Sequence, residues 1–306
     1  KIFGFYRSEG YKKLLEQRCE KKISFSKVDM TNYKSVKKLI NKIKPDMVFH
    51  LASNADVRGS FDIPIVHAKN NNIITVNLLE AIRRSNLDPK IMICSTSEVY
   101  GNVKKKFMPI TEKQKIAPIN PYAVTKVYQD LISQVYQKSF NLKIATARAG
   151  NCIGGGDWTR FRILTDASEA FLKNKKLNIR NPNSTRPWQH VLEPLLGYIL
   201  LAEKLFGNKQ KEYSSSWNFG PSRKTHVKVL KFAKIFRSKI RSKSKLILSK
   251  KVDNREKKNL DLDSKKANKL LGWKSFLSID DTLKLTADWY LANYQKKNMY
   301  NFSSAQ

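Results

Sequence analysis

Cysteine is nearly absent: 306 residues hold three, Cys19, Cys94 and Cys152, far apart and with no C-x-x-C pair. That excludes a disulfide scaffold and a cysteine zinc cluster, and it fits a reducing, cytoplasmic location. With four histidines scattered along the chain, no metal site is expected. No apolar run approaches the ~18 residues that a membrane span needs, and the opening residues do not read as a secretory signal. No membrane partner is expected. Acidic residues are also short, 25 against 59 Lys and Arg, for a net charge of +34. Such a surplus suits nucleic acid, an anionic surface or an anionic substrate. The lysines are spread widely, however, and in the densest stretch, Arg223 to Lys258, whose aromatics are Phe232 and Phe236, no aromatic interleaving suggests base stacking. Nucleic acid is therefore not the expected partner; a soluble, lysine-rich surface is the plainer reading.

What is present reads as a globular enzyme-sized chain. Apolar residues make up 41% and charged residues 27%, which excludes disorder and allows one large domain or two small ones. Short apolar segments alternate with helical spacing. Strands are expected at Lys1–Tyr6, Ile23–Val28, Met47–Leu51, Ile91–Cys94 and Leu142–Arg148. Helices are expected at Tyr11–Glu20, Val36–Ile43, Ile73–Arg84 and from Pro121 onward. This order predicts a doubly wound parallel α/β sheet of the Rossmann type over residues 1–150. Residues 151–306 read mainly as a smaller substrate lobe. There Gly154–Gly156 and Asn181–Pro187 look like loops, and Val191–Phe206, Val227–Ile240, Ser264–Leu271 and Asp280–Tyr294 like helices.

In a doubly wound sheet the ligand lies at the carboxyl ends of the strands. Those ends read Ala52-Ser53, Ser95-Thr96-Ser97-Glu98 and Ala149-Gly150-Asn151. On the helix after Pro121, Tyr122 and Lys126 are four apart and share a face. A nearby ammonium lowers a phenol's pKa from ~10 and makes a general base. The spacing alone decides little. Roughly two such pairs are expected by chance in this composition, and there are three: Tyr33/Lys37, Tyr100/Lys104 and Tyr122/Lys126. Context selects Tyr122, which follows the strand ending in Ser95–Gly101 after a loop long enough to fold back, so that Thr96 and Glu98 offer a hydroxyl and a carboxylate in the same crevice.

His50-Leu51-Ala52-Ser53, Asn71 with Thr75 and Asn77–Ala81, Ser95–Gly101, Pro121–Lys126 and Trp217–Gly220 resemble, in order and over nearly the whole chain, the extended short-chain dehydrogenase/reductase superfamily. Within it, Thr96-Ser97-Glu98 is similar to nucleotide-sugar 4,6-dehydratases of the GDP-mannose type, and UDP-glucuronate decarboxylases carry a similar stretch. Arg148–Trp158, Arg180–Val191 and Leu260–Asp263 leading to Leu271-Gly272-Trp273 resemble CDP-glucose 4,6-dehydratases. Those enzymes usually carry a lysine where this chain reads Ser97-Glu98-Val99.

The resemblance implies an NAD(P) cofactor and a nucleotide-diphosphate sugar substrate. It places Asp29 and Met30 beside the adenine, Leu51, Ala52 and Ser53 along the cofactor, and Asn71 as support for the active-site backbone. Thr96, Glu98, Tyr122 and Lys126 become the catalytic set, with Tyr122 and Lys126 also touching the cofactor. Asn151 and Arg186 become substrate contacts, the arginine toward the diphosphate. Arg7, at the end of a strand where NAD users commonly place an acid, favours NADP. The implied reaction is redox-neutral 4,6-dehydration, for which Glu98 is the discriminating residue. A UDP-glucuronate decarboxylase, a sugar epimerase and a cofactor-sensing protein without turnover are the alternatives. The resemblance further implies a homodimer through Asn72–Arg84 and Pro121–Lys138, using Ile73, Ile74, Leu131, Ile132 and Val135. Finally, Ile2–Tyr6 resembles the family's second strand and no GxxGxxG loop is present. An upstream strand and loop of roughly 20–30 residues is therefore expected before Lys1, lying between Ile2–Tyr6 and Ile91–Cys94.

Overall fold

A computed structural model describes residues 1–7, 23–249 and 260–306. The helix expected over Tyr11–Glu20, and Cys19 with it, lie outside the described residues. The strands, in chain order, are β1 (Ile2–Tyr6), β2 (Ile23–Lys27), β3 (Met47–His50), β4 (Lys90–Cys94), β5 (Lys143–Ala149), β6 (Asn151–Ile153), β7 (Leu177–Ile179), β8 (Thr185–His190), β9 (Ser216–Phe219), β10 (His226–Lys228) and β11 (Leu246–Leu248). The longer helices are α1 (Tyr33–Ile43), α2 (Pro64–Arg83), α3 (Pro121–Phe140), α4 (Ile163–Leu172), α5 (Leu192–Lys204), α6 (Val229–Ile240), α7 (Lys265–Leu271) and α8 (Ile279–Tyr294).

The central sheet is parallel, in the order β3-β4-β5-β9. Its middle strands are buried on both faces, which is why Lys90–Cys94 and Lys143–Ala149 read as near-continuous small and apolar runs. One face packs on α1, α2 and α3 through Val36, Leu78, Ile82 and Tyr136. The other packs on α5 and α7 through Tyr198, Leu201 and Leu271, with Trp217 and Trp273 filling the layer. Helices on both faces of a parallel sheet are the doubly wound architecture expected from the sequence. β1 and β2 form a separate parallel pair. The sequence reading sets a further strand beside Ile91–Cys94, but β4 is hydrogen-bonded to β3 on one side and β5 on the other. Among the described residues, the edges of the central sheet are β3 and β9.

Local chemistry explains the helix ends. Asn32 caps α1 by accepting from Ser35 N at 3.0 Å, and Asn120 caps α3 by accepting from Ala123 N at 2.8 Å, with Pro121 in the first turn. α2 begins at Pro64, nine residues before the expected start at Ile73. Its first turns carry Ile65 and Val66 in solvent, so the apolar spacing that marks a buried face is lost there.

Beyond residue 150 the chain serves both bodies. β6, β8 and β10 form one small sheet and β7 and β11 another, and α4, α6 and α8 pack on them around Trp188, Phe232 and Tyr290. β9, α5 and α7 return to the central sheet. Two expectations change here. The stretch Asn181–Pro187 enters a strand at Thr185, and β8 is the middle strand of its sheet although Pro187 supplies no N–H; that missing donor hides the strand in the sequence. The segment expected as the helix Val227–Ile240 spends His226–Lys228 on pairing with β8 before α6 starts at Val229.

Candidate active site

The site is built at the carboxyl ends of β3, β4 and β5. After β4 the chain turns into a short 3-10 helix, Ser97–Tyr100, which Thr96 caps by accepting from Glu98 N at 3.2 Å. Gly101 ends that turn at φ 61°, and a Cβ there would lie 1.7 Å from the Ala117 carbonyl oxygen, so no other residue fits. From below, the Tyr100 hydroxyl donates to Asn218 Oδ1 and accepts from Arg148 Nη1, both at 2.8 Å. Arg148 also pairs with Asp130 on α3 at 2.7 Å, both fully inside the protein. The turn carrying Glu98 is thus tied to β5, β9 and α3 through a buried ion pair, which is costly to break because either partner alone would be an uncompensated charge.

On this frame four sequence-predicted residues converge. Tyr122, 7% exposed, hydrogen-bonds the Thr96 hydroxyl and feels the charge of Glu98. Asn120 Nδ2 donates to Glu98 Oε2 at 3.2 Å. Lys126, 3% exposed, donates to the Cys94 carbonyl at 2.8 Å, with its Nζ 6.0 Å from the Tyr122 ring centroid. The expected electrostatics are reversed, however. Burial pushes the Tyr122 phenol up from its ordinary value, Cys94 and Glu98 add to it, and the Thr96 hydrogen bond offsets only part. Burial likewise lowers Lys126. Desolvation of the phenolate outweighs an ammonium that has turned to a carbonyl.

The other two Tyr/Lys pairs are elsewhere. Tyr33 and Lys37 line a surface pocket of about 440 Å³ between α1 and α2, and the Tyr100 hydroxyl is consumed by Asn218 and Arg148. Asn71, wholly buried, accepts from Asn54 N at 2.7 Å and donates to Asn54 O at 3.1 Å and to Thr125 Oγ1 at 2.9 Å. It therefore holds the loop after β3 against the helix that carries Tyr122. Leu51 and Ala52 in that loop are exposed, and Ser53 Oγ is buried with no partner. Arg7 donates to Asn70 Oδ1 at 3.1 Å, next to Asn71. Asp29 accepts from Thr31 N and Oγ1 at 2.9 and 2.7 Å, which lowers its carboxyl from the ordinary value, and the Met30 carbonyl accepts from Asn77 at 3.0 Å. Asn151 opens β6 and is partly buried; Arg186 lies in β8, 8% exposed, with Nη1 on the Thr185 carbonyl at 3.1 Å.

Does a nicotinamide dinucleotide fit these residues? Two of the three Lys126 ammonium protons have no partner among the described residues, and the Ser53 hydroxyl has none. Such donors suit the hydroxyl-rich ribose of a dinucleotide.

Two residues not singled out in the sequence join the site. Asn120, recognisable beforehand as an Asn preceding a helix-starting Pro, both caps α3 and holds Glu98. Arg162 pairs with Asp157 at 2.8 Å, donates to the Ala55 carbonyl at 2.8 Å, and its charge reaches Tyr122. No local signal marks it, since Ala55 is over a hundred residues away in sequence.

His50, at the end of β3, and His190, at the end of β8, are buried. Burial and the Lys126 charge push His50 down to about 3, and burial pushes His190 down to about 4. Both are neutral in the fold, so the unfolded chain, with imidazoles near 6.5, takes up protons first as pH falls. Their contribution is complete above pH ~6.5 and declines below it by about 1.4 kcal/mol per pH unit for each imidazole. Urea unfolding should therefore show several kcal/mol less stability at pH 5 than at pH 7, and His190→Gln should reduce that difference by about half. A pH-independent midpoint would contradict the assignment.

Comparison with known proteins gives the family and the fold. A family model described as GDP-mannose 4,6 dehydratase matches residues 4–297. The CDP-glucose 4,6-dehydratase of Salmonella typhimurium is 32% identical over 283 residues, covering 89% of this chain and 77% of that protein. Among solved structures, the UDP-glucuronic acid 4-epimerase of Bacillus cereus, in complex with UDP-glucuronic acid and NAD, superposes with a TM-score of 0.79 at 25% identity, over 90% of this chain and 83% of that one. RMD from Pseudomonas aeruginosa, complexed with NADPH, gives 0.79 at 19% identity, over 95% and 99%, a likeness of fold.

Proposed function

Because the chain belongs to the GDP-mannose 4,6 dehydratase family, we propose that it converts a nucleotide-diphosphate hexose into its 4-keto-6-deoxy derivative, with loss of water and no net redox change. The observation that carries this reading is Glu98, held by Asn120 within the electrostatic reach of Tyr122. Exchange of configuration at C4 needs no carboxylate; elimination across C5 and C6 does.

Tyr122 accepts the proton of the C4 hydroxyl, with the Thr96 hydroxyl sharing that oxygen. The resulting C4 ketone acidifies C5. Glu98 removes the C5 proton and delivers one to the C6 hydroxyl, which leaves as water; C5 later takes a proton from solvent by way of Glu98, and Tyr122 releases the C4 hydroxyl proton to solvent, so the enzyme returns to its starting state. NAD(P), when bound, supplies the acceptor for the C4 hydride, its return to C6, and a positive charge that favours the Tyr122 phenolate. Lys126, Ser53, Asn71, Leu51, Ala52, Asp29, Met30 and Arg7 would hold it. Asn151 and Arg186 would hold the nucleotide sugar, the Arg186 fork on the diphosphate.

The resemblance of Arg148–Trp158 and Arg180–Val191 to CDP-glucose enzymes supports a CDP-hexose as the substrate. The test is incubation with CDP-, GDP-, dTDP- and UDP-hexoses and with UDP-glucuronate. A 4-keto-6-deoxy product is expected, with the CDP-hexose turned over fastest. Release of carbon dioxide from UDP-glucuronate instead would favour the decarboxylase. That reaction calls for an extra cation at the sugar carboxylate, and Arg162, the cation whose charge reaches Tyr122, is already paired with Asp157.

For the cofactor, the reading is NADP over NAD. Arg7 stands at the end of β1 with no acidic residue in Tyr6-Arg7-Ser8. One charge-assisted phosphate contact is worth about 1.5–3 kcal/mol, roughly tenfold or more in affinity. Titration should show NADP binding at least that much more tightly, with the difference lost in Arg7→Ala; equal affinities would reverse the choice.

For assembly, the reading is a homodimer through α2 and α3. Ile65, Val66, Ile73, Val124, Leu131 and Val135 are exposed on these two helices. Ile74 is buried and Ile132 packs on the core, so neither belongs to that face. Sedimentation at micromolar concentration should give a dimer, and Leu131→Lys with Val135→Glu a monomer. A monomeric parent would exclude the face as an interface. A cytoplasmic location fits the free Cys94 and Cys152.

A further inference from the structure

Beneath the site lies a buried polar network in which His50, Thr75, Thr125 and Gln129 have no assigned part in the reaction. It joins His50 at the end of β3, Asn71 and Thr75 on α2, and Thr125 and Gln129 on α3, none more than 4% exposed. Gln129 Nε2 donates to Thr75 Oγ1 at 2.7 Å and to the Asn71 carbonyl at 3.4 Å. Thr75 gives its one hydroxyl proton to the same carbonyl at 3.1 Å. His50 Nε2, 3.0 Å from Thr75 Oγ1, must then be the donor, which assigns its tautomer by proton count. The Asn71 amide continues the chain to Asn54 N and O and to Thr125, and Thr125 donates to the Tyr122 carbonyl at 2.8 Å.

We propose that Gln129 is a positioning residue, fixing α3 against α2 so that Asn71 holds the Asn54 loop opposite Tyr122. Gln129 Oε1 is buried without a partner. An apolar side chain of the same size would avoid that cost, so a buried amide here makes sense through its two donated bonds. It reaches both the carbonyl of Asn71 and the Thr75 hydroxyl, and thereby adds two buried ties between helices that the Asn71–Thr125 and Tyr136–Glu80 hydrogen bonds also join. Small displacements matter at such a site, because a shift of about 1 Å can cost 10²-fold in rate.

The activity arm of the test rests on the proposed 4,6-dehydration; the exchange arm does not. In Gln129→Leu, hydrogen exchange at the Asn54 amide should quicken about tenfold or more, and kcat should fall about 10–100-fold with KM changed far less. As a control for lost stability alone, Ile82→Val, a small deletion in the core beneath α2, should leave Asn54 exchange and kcat near those of the parent. Unchanged Asn54 exchange in Gln129→Leu, or a fall in kcat of the same size in Ile82→Val, would overturn the positioning role. If the parent chain turns over no nucleotide sugar, the dehydratase reading fails on its own, and the exchange arm still decides the network.

Discussion

Tyr122→Phe should lower turnover about 10²–10⁴-fold, the usual cost of losing a general base, while the protein stays folded. The ring is 7% exposed and packs in place without its hydroxyl, and the substitution removes a polar group from a buried site. What disappears is the oxygen shared with Thr96. Because burial raises the phenol, the wild-type protein by itself holds Tyr122 protonated near neutrality. The rate should therefore rise with pH over the range in which the complex with cofactor and substrate releases that proton, and the phenylalanine variant should lose this limb. Initial rates of 4-keto product formation across pH, with circular dichroism as the control for folding, check both points. Activity within threefold of wild type would remove Tyr122 from the mechanism.

Glu98→Gln should be equally severe on dehydration, about 10²–10⁴-fold, but in a different step. Glutamine can keep the contact with Asn120 through its side-chain oxygen, so the 3-10 turn capped by Thr96 should persist. It cannot take the C5 proton. In deuterium oxide the wild-type protein should incorporate deuterium at C5, and the variant should neither exchange C5 nor release the C6 oxygen. Oxidation at C4 depends on Tyr122 and Thr96 and should survive. Normal yields of 6-deoxy product from Glu98→Gln would remove Glu98 from the mechanism and require another group to take the C5 proton.

The two substitutions also separate what each group owes to its surroundings. Tyr122 is governed by desolvation, the largest influence on its phenol. Glu98 is governed by placement, which Asn120, Gly101 and the Tyr100–Arg148–Asp130 chain impose on its turn.

Much of the protein was legible in the linear chain because its signals are local. Pro121 in a first turn, the buried runs of β4 and β5, and the four-residue spacing of Tyr122 and Lys126 depend on near neighbours. Such signals sufficed for a doubly wound α/β fold; the candidate catalytic set came from the family resemblance, because the spacing alone did not single out Tyr122. Tertiary structure decided the rest. It buried one Tyr/Lys pair beside Glu98, left Tyr33 and Lys37 at a surface pocket, and spent the Tyr100 hydroxyl on Arg148. It put the proline-bearing β8 in the middle of a sheet, and it brought β9, α5 and α7 back from beyond residue 150. It also reversed the expected acidity of Tyr122 and set Arg162 against Ala55. The physical reason is common to all of these: spacing says which side chains share a face, but burial, charge and hydrogen-bond partners come from segments distant in sequence, and those set the energy of a proton.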